Sequence, residues 1–317
     1  MRRQSPDIAR AIRDDFMSKP KLLITGASGW LGWHLCQKAS QSWDVYGTYC
    51  SHPLAIPSVK LCRADLTDYP TIKRLFAEIN PAAVIHTAAQ SQPNYCQQYP
   101  AISEKINVVA SLNLAGLSAE YEIPCVFTST DLVFDGLSAP YRETDPVSPI
   151  SYYGEQKVKA EVGMLQRNPA TKVCRMPLMF GTKSPVSSSF IQSFIKKLQK
   201  KQILTLFSDE FRTPISAETA SKGLLLALEK HTGGVLHLGG RERISRLNFG
   251  YLMAEILGLS SELIKPCLQQ EVSMPAPRPP DTSLDSHKAF ALGYAPPLLS
   301  QELLKLKVAL IETADSD

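Results

Sequence analysis

Leu22-Leu23-Ile24-Thr25-Gly26-Ala27-Ser28-Gly29-Trp30-Leu31-Gly32 is the stretch that decides the fold. A buried-strand pattern runs straight into a turn with glycines three apart, and a helix start follows. In that order Gly26 permits a tight turn, Gly29 lets backbone amides approach a pyrophosphate, and Gly32 lets the helix pack closely on the strand layer. The free amides and partial positive charge of the helix N-terminus then face the phosphates. Ser28, Trp30 and Leu31 share this loop and are assigned with it to dinucleotide binding. The spacing Gly-x-x-Gly-x-x-Gly differs from the two-glycine start of many dehydrogenases.

Outward from this loop, short and nearly continuous apolar runs recur at 22–25, 45–49, 59–62, 83–87, 126–129 and 173–176. Strands covered by helices on both faces read this way. Helical patterns fall between them at about 30–41, 68–79, 100–120 and 151–167. The alternation predicts an α/β fold, a doubly wound parallel (Rossmann) sheet. Beyond about 178 the order loosens. Helices are expected at 187–201, 217–229, 247–257 and 301–311, and strands at 203–207 and 234–238. The proline-dense stretch 274–280 excludes regular structure. This half is expected to be a smaller, partly interleaved C-terminal substrate lobe over the carboxyl edge of the sheet, where α/β folds place ligands. The expected division is a dinucleotide-binding unit of 20–178 plus about 215–240, and a substrate lobe of about 179–214 plus 241–317. Residues 1–19 are polar and read as a flexible tail, with Met17 as an alternative translation start.

The second strand pattern ends in Tyr49-Cys50-Ser51-His52, with no acid to accept bonds from an adenosine 2′-hydroxyl and repel a 2′-phosphate. This favours NADP and leaves NAD open. Ser51 and His52 suit the extra phosphate or are ordinary loop residues. Arg63 supplies a cation there or is simply surface. Asp65-Leu66 is placed to line the adenine pocket, or Asp65 is a helix N-cap.

In Ser151-Tyr152-Tyr153-Gly154-Glu155-Gln156-Lys157 a Tyr and a Lys stand four apart, one turn apart on one helix face. The strand before it ends in Thr128-Ser129-Thr130. A ketone that receives hydride becomes an alkoxide and needs a proton. A free phenol has a pKa of about 10, and a neighbouring ammonium draws it down. A hydroxyl binds and orients the carbonyl oxygen.

These residues resemble the extended short-chain dehydrogenase/reductases, most nearly the dTDP-4-dehydrorhamnose reductases and their sugar-nucleotide relatives. Besides the glycine loop, Ile85-His86-Thr87-Ala88-Ala89 matches the fourth-strand cofactor segment. Ser129-Thr130-Asp131-Leu132-Val133-Phe134-Asp135-Gly136 resembles the Ser-Thr-Asp-Tyr-Val-Phe-Asp-Gly run. Arg278-Pro279-Pro280-Asp281-Thr282-Ser283-Leu284-Asp285 resembles the terminal Arg-Pro element. The resemblance implies Thr130 as catalytic hydroxyl, Tyr153 as proton donor, and Lys157 as its electrostatic partner and ribose ligand. It places Thr87, Ala88, Ala89 and Asn107 with the cofactor, and Met176-Pro177 at its nicotinamide end. Ser91, Thr130, Arg212 and Arg278 are the substrate candidates, the two arginines as diphosphate ligands or structural ion pairs. Two departures stand out: Gln90-Ser91-Gln92-Pro93-Asn94-Tyr95 replaces Thr-x-Val-Asp, and Leu132 replaces a tyrosine. No metal ligands can be matched.

The net charge of +4, from 34 basic and 30 acidic side chains, argues against a nucleic-acid partner. Half of that excess sits in residues 1–19. No apolar run spans a bilayer, and none follows Met1-Arg2-Arg3 as a signal would. The seven scattered cysteines read as buried thiols of a cytoplasmic protein. The expected function is NADPH-dependent reduction of a 4-keto-6-deoxy sugar nucleotide, and a homodimer remains open. The chain also resembles the regulatory β subunit of methionine adenosyltransferase, which implies a non-catalytic NADP-binding role. A sugar-nucleotide epimerase or dehydratase is the third reading. A dehydratase needs an added acid/base pair, and Leu132 follows Asp131 where a Glu would be wanted.

Overall fold

A computed structural model describes residues 19–314; the tail expected over 1–19 lies, apart from Lys19, outside the described residues. Strand β1 (Lys21–Thr25) leads through the glycine turn into helix α1 (Trp30–Ala39). β2 (Asp44–Tyr49), β3 (Val59–Arg63), α2 (Tyr69–Ile79) and β4 (Ala83–His86) follow. α3 (Pro93–Gln98), α4 (Pro100–Glu104), a π-helical turn (Lys105–Val109) and α5 (Ala110–Glu120) then lead to β5 (Cys125–Thr130). α6 (Tyr152–Arg167) and β6 (Lys172–Met176) come next. β11 (Gly234–His237) completes a seven-stranded sheet of order β11-β6-β5-β4-β1-β2-β3. Every pair in it is parallel.

The burial pattern explains the apolar runs. β4, β5 and β6 are buried along their whole length because helices cover both faces. β3, at the sheet edge, is half-exposed and carries Lys60 and Arg63. One core lies under α1, where Leu35 meets Leu224 and Leu228 of α8 (Ala217–Lys230). The other lies under α2, α5 and α6, around Phe76, Leu114 and Met164. β1 is flanked by β2 on one side and β4 on the other, so the connections leave in opposite directions. That reversal opens a crevice at the carboxyl ends of the strands.

The remaining elements are α7 (Phe190–Gln199), β7 (Met179–Phe180), β8 (Leu204–Phe207), β9 (Phe211–Arg212) and β10 (Ile215–Ser216). β12 (Ile244–Ser245), α9 (Arg246–Leu257), β13 (Ile264–Cys267), α10 (His287–Ala291) and α11 (Leu299–Ala314) close the series. They bury a third core around Phe180, Ile191, Phe249 and Leu303. α3, β13 and the π-helical turn are absent from the sequence expectation. The first two are too short for periodicity to reveal. Stretch 274–280 has no helix or strand, as its prolines demand. All seven cysteines are free, and Cys50 is exposed rather than buried. Among the described residues no helix is long and apolar enough to cross a membrane.

Two strand ends carry buried histidines. His86 is hydrogen-bonded to Thr25 Oγ1 at 2.6 Å and Ser111 Oγ at 3.0 Å, and burial holds its pKa down to about 3. Burial first, and the Arg175 charge second, hold His237 down to about 3 as well. Both folded values lie below the free histidine value of about 6.5. The folded state therefore takes up fewer protons, and stability present above about pH 6.5 is lost as pH falls. Each histidine should remove about 2 kcal/mol by pH 5. Tm measured from pH 7.5 to 5 is expected to fall steadily; a flat profile would contradict the buried neutral rings.

Candidate active site

The crevice is a cleft of about 1260 Å³ that runs from the glycine turn to the β8–β9 region. Gly26 has φ +74°, a left-handed conformation. A Cβ on Gly32 would stand 2.1 Å from the Gly26 carbonyl oxygen, so any side chain there would push α1 off the turn. Gly29 is the extended residue that starts α1, and no acid occupies the helix's first turn. The amides of that turn thus face the cleft without a competing carboxylate. Thr48 Oγ1 accepts the Gly26 N–H at 3.1 Å and pins the turn to β2.

Opposite the turn, β5 ends at Thr130 and α6 begins. Ser151 caps α6 by accepting the Gly154 N–H at 3.3 Å. A Cβ at Gly154 would stand 2.3 Å from the Leu132 carbonyl oxygen, so glycine lets the helix close onto the end of β5. Tyr153 and Lys157 then emerge on one face, one turn apart, and line the cleft with Thr128, Ser129 and Thr130. Lys157 is buried, and its Nζ donates to the Thr128 carbonyl at 2.9 Å. It lies 4.5 Å from the Phe127 ring centroid and 6.0 Å from that of Tyr153. Burial pulls its pKa down to about 8. Burial, then the nearby Cys96 and Asp131, push the Tyr153 phenol up, against a lowering hydrogen bond with Thr130. The expected lowering of the phenol by its lysine does not occur in this geometry, because desolvation prevails.

Gly26, Ser28, Gly29, Trp30, Leu31 and Gly32 all line the cleft, as do Asp65, Leu66, Thr87, Ala88, Ala89 and Ser91. Asp65 is not a helix cap. Asp68 starts α2, and Asp65 Oδ1 instead accepts from the Thr67 N–H at 2.9 Å. Ser51 and His52 are exposed, hydrogen-bonded to each other at 3.0 Å, and outside the cleft lining, as is Arg63. Asn107 is also outside the lining. On the π-helical turn, its Oδ1 accepts the Gln90 N–H at 2.8 Å and its Nδ2 donates to Gln156 Oε1 at 2.9 Å. It joins the 90–95 loop to α6.

The two substrate arginines differ. Arg212 lines the cleft and is buried: Nη1 meets Asp131 Oδ2 at 2.9 Å, Nε meets Glu210 Oε1 at 3.3 Å, and Thr282 accepts a further bond. Arg278 donates to the Ala276 carbonyl at 3.1 Å and to Asn94 Oδ1 at 3.0 Å, and keeps a half-buried face on the cleft. Sequence reasoning missed Arg246, Glu210, Phe190 and Thr205–Phe207, all in the cleft wall. Antiparallel pairing of β12 with β9 brings the Arg246 N–H onto the Glu210 carbonyl at 2.9 Å. Nothing local in the sequence marks that pairing.

A parallel sheet with a glycine turn at its switch point, facing a Tyr-Lys pair beyond the end of β5, is the architecture of an extended short-chain dehydrogenase/reductase. Residues 20–309 match the model of the RmlD substrate binding domain family, and the chain belongs to that family. It is 31% identical over 300 residues to methionine adenosyltransferase 2 subunit beta of Xenopus laevis, covering 92% of this chain and 88% of the relative. It is 29% identical to a probable low-salt glycan biosynthesis reductase of Haloferax volcanii, covering 90% and 97%. Among solved structures, a hypothetical dTDP-4-dehydrorhamnose reductase from Sulfolobus tokodaii superposes with TM-score 0.76 at 30% identity, covering 86% and 94%. A dTDP-4-dehydrorhamnose reductase from Bacillus anthracis, in complex with NADP, superposes with TM-score 0.82 at 20% identity, covering 92% and 99%.

Proposed function

We propose that the chain is an NADPH-dependent reductase of a 4-keto-6-deoxy sugar nucleotide. The observation that carries this reading is the meeting of Thr130, Tyr153 and Lys157 on one wall of the cleft that holds the glycine turn. The dinucleotide fits the turn: a Cβ at Gly32 would close it, and α1 opens onto it without an acid. NADPH, when bound, supplies the hydride. The chain's own residues do the rest. Thr130 orients the carbonyl oxygen. Tyr153, kept protonated by burial, gives its proton to the forming alkoxide. Lys157, a cation below about pH 8, stabilises the phenolate left behind. Residues 20–178 with about 215–240 serve as the dinucleotide unit, and about 179–214 with 241–317 as the substrate lobe.

A second reading has its own support. The similarity to methionine adenosyltransferase 2 subunit beta, and Leu132 in place of the tyrosine, suit an NADP-binding regulatory subunit. One experiment separates the two. The purified protein is mixed with NADPH or NADH and a panel of 4-keto-6-deoxy sugar nucleotides, and absorbance at the reduced-nicotinamide band is followed. The reductase reading expects oxidation with at least one, faster with NADPH. NADPH binding without turnover, together with co-elution with a methionine adenosyltransferase catalytic chain, would transfer the assignment to the regulatory reading.

A further inference from the structure

Residues 181–189 run from the end of β7 to the start of α7, and Ser187, Ser188 and Ser189 line the same cleft as Gly26, Gly29 and Trp30. Several hydrogen bonds of this strap stay within it or reach the first turn of α7. The Ser184 N–H donates to the Ser187 carbonyl at 2.8 Å, and the Ser187 N–H returns to Ser184 Oγ at 3.0 Å. The Ser189 N–H donates to Gln192 Oε1 at 2.9 Å. These bonds give the strap its own shape but do not fasten it to the sheet or to α1.

The fastening is a single carbonyl. Trp30 Nε1 donates to the Thr182 carbonyl at 2.8 Å, and His34 Nε2 meets the same oxygen at 3.1 Å. A carbonyl only accepts, so His34 carries a hydrogen on Nε2. Among the described residues, these two bonds are the hydrogen bonds that tie 182–188 to any segment outside 181–192. Both donors stand on α1, one turn apart, with their rings edge to face at 5.2 Å. Trp33 packs edge-on against His34 at 4.8 Å. A Cβ at Gly181 would stand 3.2 Å from Trp30 Cζ2, so the glycine start of the strap lies against the indole. Trp30 lines the cleft and His34 does not. The tie therefore joins two walls of the cleft: the helix that opens onto the phosphate site, and the strap.

We propose that Trp30 and His34 form a latch on Thr182 that holds the 181–189 strap over the bound dinucleotide and slows its release. His34 is then a positioning residue, since it stands outside the cleft lining and acts through Thr182. A dinucleotide seated at the glycine turn lies between the two walls, and it leaves when they part. The proposal rests on the dinucleotide site and not on the identity of the sugar substrate.

The test measures NADPH release from the full chain, by stopped-flow displacement with excess NADP, and trypsin cleavage after the exposed Lys183 of the strap. Both are read without a sugar nucleotide, so neither depends on the reductase reading. His34→Phe keeps an aromatic ring and removes the donor. Release should quicken about threefold or more, the worth of one hydrogen bond, and cleavage after Lys183 should quicken with it. His34→Gln keeps an N–H donor and should stay closer to wild type on both readouts. Trp30→Phe combined with His34→Phe should quicken release more than either change alone. Wild-type release and cleavage in the double variant overturn the proposal. So does a lower Tm with wild-type release, because the contacts are then structural. His34→Gln as fast as His34→Phe overturns it as well, since the ring and not its N–H then matters. If His34→Phe fails to fold, Trp30→Phe decides, and a wild-type release rate from that variant overturns the proposal.

Discussion

Tyr153→Phe is expected to slow reduction of the cognate sugar nucleotide by about 10²–10⁴-fold, the usual contribution of a positioned general acid. NADPH affinity, read by fluorescence titration, should stay near wild type. The ring that fills the wall remains, and only the proton source goes. Tyr153 is buried, and its phenol is pushed up rather than down, so it stays protonated at neutral pH. A reductase needs that state, since the donor must hold its proton until the alkoxide forms. Lys157 sets the upper limit. Its pKa is pulled down to about 8 by burial, so it is charged below that pH and neutral above it. The charge that steadies the phenolate is thus present at pH 7 and fades through pH 8 to 9. The kcat for reduction should fall over that window. Intact reduction by Tyr153→Phe would remove Tyr153 from the chemistry, whatever the pH profile.

The parts of this arrangement that were legible in the sequence are those built from near neighbours. The glycine turn, the buried strands and the Tyr-x-x-x-Lys spacing each fit within a dozen residues, and each carries its physical reason locally. The end of β5 could be set near Tyr153 because α/β folds gather their sites at the carboxyl ends of the strands. What stayed hidden depends on contacts between distant segments. The resemblance places Asn107 with the cofactor, but its bonds to Gln90 and Gln156 join segments far apart in the chain. On sequence alone Arg212 suits a diphosphate ligand or an ion pair. Its partner Asp131 lies 81 positions earlier, and only the fold joins them. Arg246 left no local signal at all, since its surroundings come from α7 and the chain around β9.

Arg212→Met should lower stability. The Arg212–Asp131 pair is almost wholly buried, with both side chains at 5% exposure or less. Burial alone raises the Asp131 carboxyl, and the guanidinium opposes that rise. Removing the cation leaves a charged carboxylate in the core, a loss of about 3–5 kcal/mol for pairs of this kind. At neutral pH the variant should melt several degrees below wild type. Acidification should narrow the gap, because a protonated Asp131 no longer needs its partner. Adding Asp131→Asn to Arg212→Met removes the stranded charge and should recover part of the loss, so the two effects are not additive. A wild-type Tm in Arg212→Met would contradict the stranded charge.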